Sequence, residues 1–316
     1  MKITIVAFDL WGFNKLIAEN LEEKNAEVTF INSSAIRFSY KNNFQRIINF
    51  FSKTFLNKNI KKQYVKNTVL QKIDELPEQN IVLIVNPAHF DTEIINKLKA
   101  KTKKYIAYNY DSITRSPLPQ NYLDLFDTVY SFDMEDAKNN KYLKPLTNFN
   151  YLEKNINPHP KTKAFVILLN SLNRERLLKK IADNLENQQI INFEFIVVQP
   201  ALKNTNKHIK LLEKPLSLDI VHEKMKNTEI LIDLVRENQT GLSFRFFEAM
   251  ALHKKIITNN KSVMEYDFYN ENNILVIDND FTEIPISFLS TIYEKIPDDI
   301  YAKYTLDNWT KTVFGI

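Results

Sequence analysis

The stretch ILIDLVRENQTGLSFRFFEAMALHKKIITNN, residues 230–260, sets out a strand, a polar loop, a helix and a second strand. Residues 229–235 form an apolar run of the kind that lies buried in a parallel sheet, and 255–258 (KIIT) repeats the pattern. Between them, 241–252 carries helical periodicity. A strand–helix–strand unit of this kind predicts a parallel α/β architecture.

The same alternation extends in both directions along the chain and is interrupted once, by the polar segment 148–163 with Pro158 and Pro160. Before the interruption, strands are predicted at 2–8, 27–31, 81–85, 104–108 and 128–131, with helices at 13–24, 43–57, 60–75, 92–101 and 133–139. After it, strands are predicted at 164–169, 193–198, 229–235, 255–258 and 273–277, with helices at 173–186, 216–226, 241–252 and 283–294. Two such sets predict two Rossmann-like domains, 1–150 and 151–316, that face one another across a cleft.

The composition excludes several familiar functions. The 316 residues include only three glycines and no cysteine. Neither a G-x-G-x-x-G dinucleotide motif nor a G-x-x-x-x-G-K-[ST] phosphate loop can therefore be assembled. Disulfides and thiolate zinc sites are excluded too. Because the apolar run at the N-terminus ends at Asp9 and no window approaches 18 apolar residues, we expect a cytoplasmic protein.

Residues at the start of helix 241–252 suit a diphosphate and a sugar. Ser243 lies in the first helical turn, where backbone N–H groups favour an anion. Arg245 and Glu248 are three residues apart and share a helix face. An arginine can hold phosphates while a carboxylate accepts from sugar hydroxyls. The alternative is a surface helix with an ordinary Arg–Glu ion pair.

Residues 230–260 resemble the nucleotide-sugar-binding segment of glycosyltransferases of the GT-B fold, most closely the CgeB-like and capsule or lipopolysaccharide group. The matching pattern is Q-x-G-L-[ST]-x-R-x-x-E-A followed by K-K-I-I-T-[TN]-N. Two weaker matches, 110–136 and 169–181, lie before it in the same order as in that group. The resemblance implies the GT-B arrangement of two Rossmann-like domains. It also implies donor contacts from Asn170, Arg174, Arg176, Gln239, Thr240, Gly241, Leu242, Ser243, Arg245 and Glu248. Lys214 is a further candidate because its positive charge could stabilise the leaving diphosphate, and the alternative for this lysine before a proline is a solvated loop residue.

The activity implied is transfer of a sugar from a nucleotide-diphosphate sugar to a glycan or lipid-linked acceptor in bacterial surface polysaccharide biosynthesis, without a further cofactor. One departure stands out. Many retaining enzymes of this fold carry a second glutamate eight residues before the position of Glu248, where this chain has Thr240, although Glu237 lies nearby. This departure leaves a catalytically silent partner protein open as an alternative. A nucleotide-sugar epimerase on the same fold, which needs no acceptor, is a further alternative.

Transfer also needs a base for the acceptor hydroxyl, and four candidates follow strands of the first domain: Asp9, His89, Asp91 and Asp111. Asp111 is preferred, followed by Asp9. Three of the four have a structural alternative, and a lone histidine such as His89 is usually structural. Asp91 suits a helix N-cap, and Asp111 could form a loop-holding ion pair with Arg115.

A metal site is not expected. Asp278-Asn279-Asp280 matches the D-x-D motif of the unrelated GT-A fold, but it follows the last predicted strand and is also a common turn. The five histidines lack paired ligand spacing.

The charge is unevenly distributed. Residues 28–73 contain nine basic residues and no acidic one, within the net +4 of the chain. A helix from about Phe44 to Asn57 carries an apolar stripe of Phe44, Ile47, Ile48, Phe51 and Phe55, with Arg46 and Lys53 opposite. Residues 37–72 could dock on an anionic inner membrane surface. The alternative is a core-facing helix with a solvated basic face. No nucleic-acid-binding motif accompanies the charge, so that partner is not expected.

Overall fold

The computed structural model describes residues 1–40, 42–43, 46, 49–50, 59–118, 120–169, 171–199, 207–278 and 280–316. The chain divides into two compact units. Unit 1 consists of Met1–Leu146 and Thr310–Ile316, and unit 2 of Thr147–Trp309. The segment 310–316 thus groups with the first unit, whereas the sequence placed it with the second. The predicted helix around Phe44–Asn57 falls mostly outside the described residues.

Unit 1 is built on a six-stranded, fully parallel sheet with the order β2-β1-β3-β4-β5-β6. Its strands are β1 (Lys2–Ala7), β2 (Glu27–Asn32), β3 (Gln79–Val85), β4 (Thr102–Asn109), β5 (Thr128–Ser131) and β6 (Leu143–Pro145). Its helices are α1 (Phe13–Glu23), α2 (Ile60–Asp74), α3 (Thr92–Lys99), α4 (Gln120–Leu123) and α5 (Met134–Asn139). The sequence predicted the first five strands but not β6, which is only three residues long.

Unit 2 repeats the architecture with the strand order β12-β11-β10-β7-β8-β9, again all parallel. Its strands are β7 (Thr162–Leu169), β8 (Phe193–Val198), β9 (Ile209–Leu212), β10 (Thr228–Asp233), β11 (Lys255–Thr258) and β12 (Ile274–Val276). Its helices are α6 (Leu172–Asn187), α7 (Leu218–Lys226), α8 (Phe244–Leu252), α9 (Ile286–Ser290) and α10 (Asp298–Lys303), and the boundary between the units falls within α11 (Leu306–Phe314). Two parallel sheets with crossover helices confirm the prediction of two Rossmann-like folds.

The helix predicted over 283–294 is shorter, because α9 ends at Ser290. In a longer helix the carbonyl of Phe288 would accept from the N–H of Ile292. Here that carbonyl accepts from the buried ammonium of Lys255 at 2.5 Å, and Thr291 adopts an extended conformation. The end of α9 thus coincides with a hydrogen bond from a distant strand, β11, which no local pattern could predict.

Each sheet reverses its winding direction beside its first strand. In unit 1 the chain moves from β1 to β2 on one side and then to β3 on the other. In unit 2 it moves from β7 to β8 and β9 and then returns to β10. Ligands of open α/β sheets bind at the carboxyl ends of the strands at such points. The loops after β1 and β10 are thus the places to look for a site.

Candidate functional site

The carbonyl groups of the loop between β10 and α8 accept hydrogen bonds from two asparagine side chains. The amide of Asn260 donates to the carbonyls of Thr240 at 3.1 Å and Gly241 at 3.3 Å. The amide of Asn148 donates to the carbonyl of Leu242 at 2.9 Å. In a trans peptide the C=O of one residue and the N–H of the next point in opposite directions. The N–H groups of Gly241 and Leu242 therefore point away from Asn260, and the N–H of Ser243 points away from Asn148.

Ser243 caps helix α8 through a neutral group. Its hydroxyl oxygen accepts from the N–H of Arg245 at 3.2 Å, and its O–H donates to Asp233 Oδ1 at 2.5 Å. Asp233 ends β10 beside Thr258 of β11, whose hydroxyl lies 3.4 Å from Asp233 Oδ2. An N–H in the first turn of the helix therefore bonds to the neutral hydroxyl of Ser243, and the carboxylate of Asp233 contacts that hydroxyl from the other side.

Burial raises the pKa of the Asp233 carboxyl, while the hydrogen bond from Ser243 and the charges of Arg245 and Arg174 act in the opposite direction. The two arginines therefore act on the same carboxylate from α8 and α6. Asp233 is not among the site residues predicted from the sequence. The available signal was an acidic residue at the end of the otherwise apolar run ILID.

Arg245 and Glu248 form a buried ion pair, with Arg245 Nη1 and Glu248 Oε2 2.9 Å apart. Glu248 is only 3% exposed. Its second oxygen accepts from the hydroxyl of Tyr151, which also lies 2.8 Å from His222 Nε2. The sequence left open an ordinary Arg–Glu ion pair on a helix surface. The ion pair is present, but it lies mostly inside the protein.

Tyr151 and His222 were not predicted. Burial, together with the adjacent charge of Glu248, raises the pKa of Tyr151, and burial lowers the pKa of His222. The tyrosine hydroxyl therefore stays protonated and acts as a donor at neutral pH. No sequence signal marks this contact, because Tyr151 lies 97 residues before Glu248.

The remaining predicted donor residues differ in their surroundings. Arg174, in the first turn of α6, donates from Nη2 to the carbonyl of Leu169 at 2.6 Å. Arg176 and Lys214 are exposed, and Gln239 is half-buried in the loop before α8. Asn170 lies outside the described residues. The nearby acid Glu237 is exposed and accepts from the side-chain amide of Asn173.

In unit 1, Asp9 organises the loop after β1. Its Oδ1 accepts from the N–H of Gly12 at 2.8 Å, and its Oδ2 accepts from the N–H groups of Asn14 and Lys15, both at 3.0 Å. The residue is 6% exposed. A carboxylate so placed satisfies the start of α1, which is an arrangement that favours a structural role over proton transfer.

The other candidate bases lie at the same edge of the sheet. Asp111 Oδ1 is 3.2 Å from Arg115 Nε, which is the loop-holding pair foreseen as an alternative. Asp91 occupies the N-cap position of α3 without a side-chain cap bond and lies 3.8 Å from Lys66 Nζ. His89 is exposed and contacts the ring of Phe8 edge-on.

Both aspartates of the D-x-D segment form ion pairs with lysines. Asp278 Oδ1 lies 2.6 Å from Lys261 Nζ, Asp280 lies 3.9 Å from Lys180, and Asn279 is outside the described residues. Among the residues that the structure describes, no three or more His, Asp or Glu side chains are placed to hold a metal ion. Within that same part of the chain, no helix has the length and apolar character needed to cross a membrane.

No protein-family model matches the sequence, and no curated protein matches it. Solved structures do match the fold along the whole chain. A UDP-forming trehalose-phosphate synthase from Burkholderia xenovorans superposes with a TM-score of 0.58 at 9% identity, covering 99% of this chain and 98% of that one. The chain has the GT-B fold.

Two UDP-GlcNAc 2-epimerases share this fold. The enzyme from Neisseria meningitidis, solved with UDP-GlcNAc, gives a TM-score of 0.54 at 9% identity, covering 100% of this chain and 99% of that one. The enzyme from Methanocaldococcus jannaschii gives 0.52 at 13% identity, covering all of both chains. At these identities the likeness establishes the fold alone, and the resemblance to the CgeB-like group remains a prediction from the sequence.

Proposed function

We propose that this protein is a glycosyltransferase that takes a sugar from a nucleotide-diphosphate sugar, with the donor bound by unit 2. The observation that carries the proposal is the corner between β10 and α8. Three carbonyl groups of its loop accept from Asn260 and Asn148, its helix cap is a neutral hydroxyl, and Arg245 and Glu248 lie within the first turns of the helix. The start of a helix and an arginine suit a diphosphate, and a carboxylate suits the hydroxyls of a ribose.

In this proposal the diphosphate lies at the start of α8, where Ser243 is the N-cap. The charges of Arg245 and Arg174 act on the same region, as their shared effect on Asp233 indicates. Fixed positive charge stabilises the negative charge that develops on the leaving diphosphate. We propose that these groups, without a further cofactor, carry that charge. Glu248 would accept from the ribose hydroxyls.

For the acceptor base, the geometry favours Asp111 over Asp9. Three backbone N–H groups occupy the Asp9 carboxylate, whereas the Asp111 carboxylate is held by a partly exposed arginine side chain. A side-chain ion pair can rearrange when a substrate binds, but the start of a helix cannot lose its cap without cost.

We further propose that the acceptor is a glycan or lipid-linked molecule of a bacterial surface polysaccharide, and that unit 1 docks on an anionic membrane. Support comes from a basic aromatic patch. Phe38 contacts the rings of Tyr40 and Tyr64 at 5.1 and 5.3 Å, and Lys61 lies 5.2 Å from the Tyr40 ring. Exposed Arg37 and Lys62 lie beside these residues in the sequence. Rings and lysines together suit the headgroup region of anionic lipids.

The membrane proposal is tested by sedimentation with vesicles. We expect binding to phosphatidylglycerol-containing vesicles, little binding to phosphatidylcholine alone, and a loss of binding in a Lys61→Glu, Lys62→Glu double variant. Equal binding to both vesicle types would contradict the electrostatic docking.

An epimerase is the second candidate. The similarity to UDP-GlcNAc 2-epimerases and the presence of Thr240 in place of a sugar-proximal glutamate both favour it. The same threonine favours a catalytically silent binding protein. The three functions differ in their products. A transferase releases nucleoside diphosphate only with acceptor or water, an epimerase changes the sugar of the intact donor, and a silent protein does neither.

Calorimetry with UDP-, GDP-, dTDP- and CMP-sugars tests the proposal, with chromatography of the nucleotides after incubation. We expect one donor class to bind, and Glu248→Ala to weaken it at least tenfold. The matched control Glu283→Ala, which changes an exposed glutamate, leaves the affinity unchanged. If no donor binds, or if the Glu248→Ala variant binds as tightly as the wild type, the proposed donor site is wrong.

A further inference from the structure

Glu248, the proposed ribose ligand, has no carboxylate oxygen left open in this structure. Oε2 pairs with Arg245, and Oε1 accepts from the hydroxyl of Tyr151. The side chain of Glu248 is only 4% exposed. A ribose hydroxyl can reach the carboxylate only after a neighbouring group has moved away.

Tyr151 is the neighbour best placed to move. Arg245 is fixed in α8 and His222 in α7, whereas residues 151–161 belong to no helix or strand. The backbone is held on both sides of Tyr151: Asn150 pairs through its backbone with Tyr304 and Leu306, and its side chain accepts from the N–H of Leu152 at 3.0 Å. A rotation of the Tyr151 side chain alone moves its hydroxyl away from Glu248 and leaves the hydrogen bonds of the backbone at Asn150 and Leu152 in place.

The hydrogen bonds around Tyr151 have a defined direction. An ionised carboxylate only accepts, so the tyrosine O–H donates to Glu248, and its oxygen accepts from His222 Nε2–H at 2.8 Å. A ribose hydroxyl also donates one hydrogen and accepts another. The Tyr151 hydroxyl therefore offers Glu248 the same contact that a ribose hydroxyl would.

We propose that Tyr151 is a cover of the ribose subsite. In the empty protein its hydroxyl occupies Glu248, and the vicinal hydroxyls of a nucleoside diphosphate displace it. This inference rests on the proposed function. It implies that the measured affinity is lower than that of the uncovered site, because only the uncovered fraction can bind.

The test uses Tyr151→Phe, which removes the hydroxyl but keeps the ring that packs on His222 and Phe244. The matched control is Tyr304→Phe, whose hydroxyl bonds another carboxylate, that of Asp267, at 2.6 Å. UDP, GDP and ADP are titrated separately by calorimetry. For the nucleotide that binds, we expect Tyr151→Phe to tighten binding about fivefold, the worth of one hydrogen bond. Tyr304→Phe leaves it unchanged.

The 2′,3′-dideoxy form of the same nucleotide provides the specificity arm, and it should bind both proteins equally. As a second readout, a fixed nucleotide concentration should raise the melting temperature of Tyr151→Phe more than that of the wild type, whatever the variant's own stability. Unchanged or weaker ribonucleotide binding by Tyr151→Phe overturns the cover, even where wild-type binding depends on Glu248. If neither protein binds any of the three nucleotides, the proposed function and the cover both fail.

Discussion

The two units place a strand, a loop and a helix at the same point of their sheets, but they cap the helix in opposite ways. In unit 1, both carboxylate oxygens of Asp9 accept directly from the first N–H groups around the start of α1. In unit 2, the hydroxyl of Ser243 caps α8, and the carboxylate of Asp233 lies behind that hydroxyl.

This difference decides which corner suits an anion. The start of a helix carries about half a positive charge, and one negative group satisfies it. In unit 1 the protein supplies that group itself. In unit 2 the neutral cap satisfies one N–H but leaves the positive field available to a phosphate. We call the corner between β1 and α1, capped by Asp9, the closed corner. We call the corner between β10 and α8, capped by Ser243, the receptive corner.

The largest effect is expected from breaking the ion pair of the receptive corner. Arg245→Ala leaves Glu248 buried without its cation, which should lower the free energy of unfolding by about 3 kcal/mol. The equivalent change in unit 1, Arg115→Ala, removes a partly exposed pair with Asp111 and should cost about 0.5 kcal/mol. Urea denaturation of both variants checks this. Equal losses would mean that the two pairs are equally solvated.

A smaller loss is expected from opening the closed corner. Asp9→Ala removes the acceptor of three N–H groups and should cost about 2 kcal/mol. Asp9→Asn retains one acceptor oxygen and should cost about half as much. Donor affinity should stay at the wild-type value in both, as measured by calorimetry, provided that the protein is folded. A loss of donor affinity in Asp9→Asn would show that this corner takes part in donor binding.

A still smaller loss of stability is expected from changing the backbone conformation of the closed corner at Gly12. Gly12 has a φ of 87°, and a Cβ there would meet no atom within 4 Å. Gly12→Ala therefore incurs only the left-handed backbone penalty, about 1 kcal/mol. Gly315→Ala, at a φ of 82° near the C-terminus, is the control and should cost less because the chain end can relax. Thermal unfolding distinguishes the two, and a Gly12→Ala variant as stable as wild type would contradict the expectation.

The last expected effect is a change in the free energy of unfolding with pH. Burial raises the pKa of Asp233 above its ordinary value of 3.8, so the folded state keeps a proton that the unfolded chain has lost. Stability from this group is full below the unfolded pKa and is lost as pH rises through the folded pKa. Relative to Asp233→Asn, the wild type should thus lose stability as pH rises above about 4. A constant difference between pH 4 and 7 would contradict this.

Much of the fold could be predicted from local pattern. Apolar β-branched runs identified ten of the strands within a few residues, because buried parallel strands need them along their whole length. β6 and β9, of three and four residues, were not predicted. The end of α9 was not predicted either, and there the carbonyl of Phe288 accepts from Lys255 of another strand.

The site could be predicted less completely. The sequence predicted Ser243, Arg245 and Glu248 because they lie within six residues at the start of one helix. There, sequence spacing determines which side chains are neighbours. Asp233 and Tyr151 meet them only through the fold, from ten and 97 residues away. Whether a carboxylate is a cap, as for Asp9, or stands behind one, as for Asp233, depends on backbone geometry that the residue types do not encode.

The most direct test of the account exchanges the cap of the receptive corner. Ser243→Asn keeps a neutral cap, whereas Ser243→Asp gives α8 the carboxylate cap that α1 already has, and both residues cap helices well. With the donor that binds the wild type, calorimetry should show Ser243→Asn within about threefold of wild type and Ser243→Asp weaker by about a hundredfold, since a fixed carboxylate takes the place of the phosphate. Equal affinities for the two folded variants would contradict the claim that the diphosphate binds at the start of this helix.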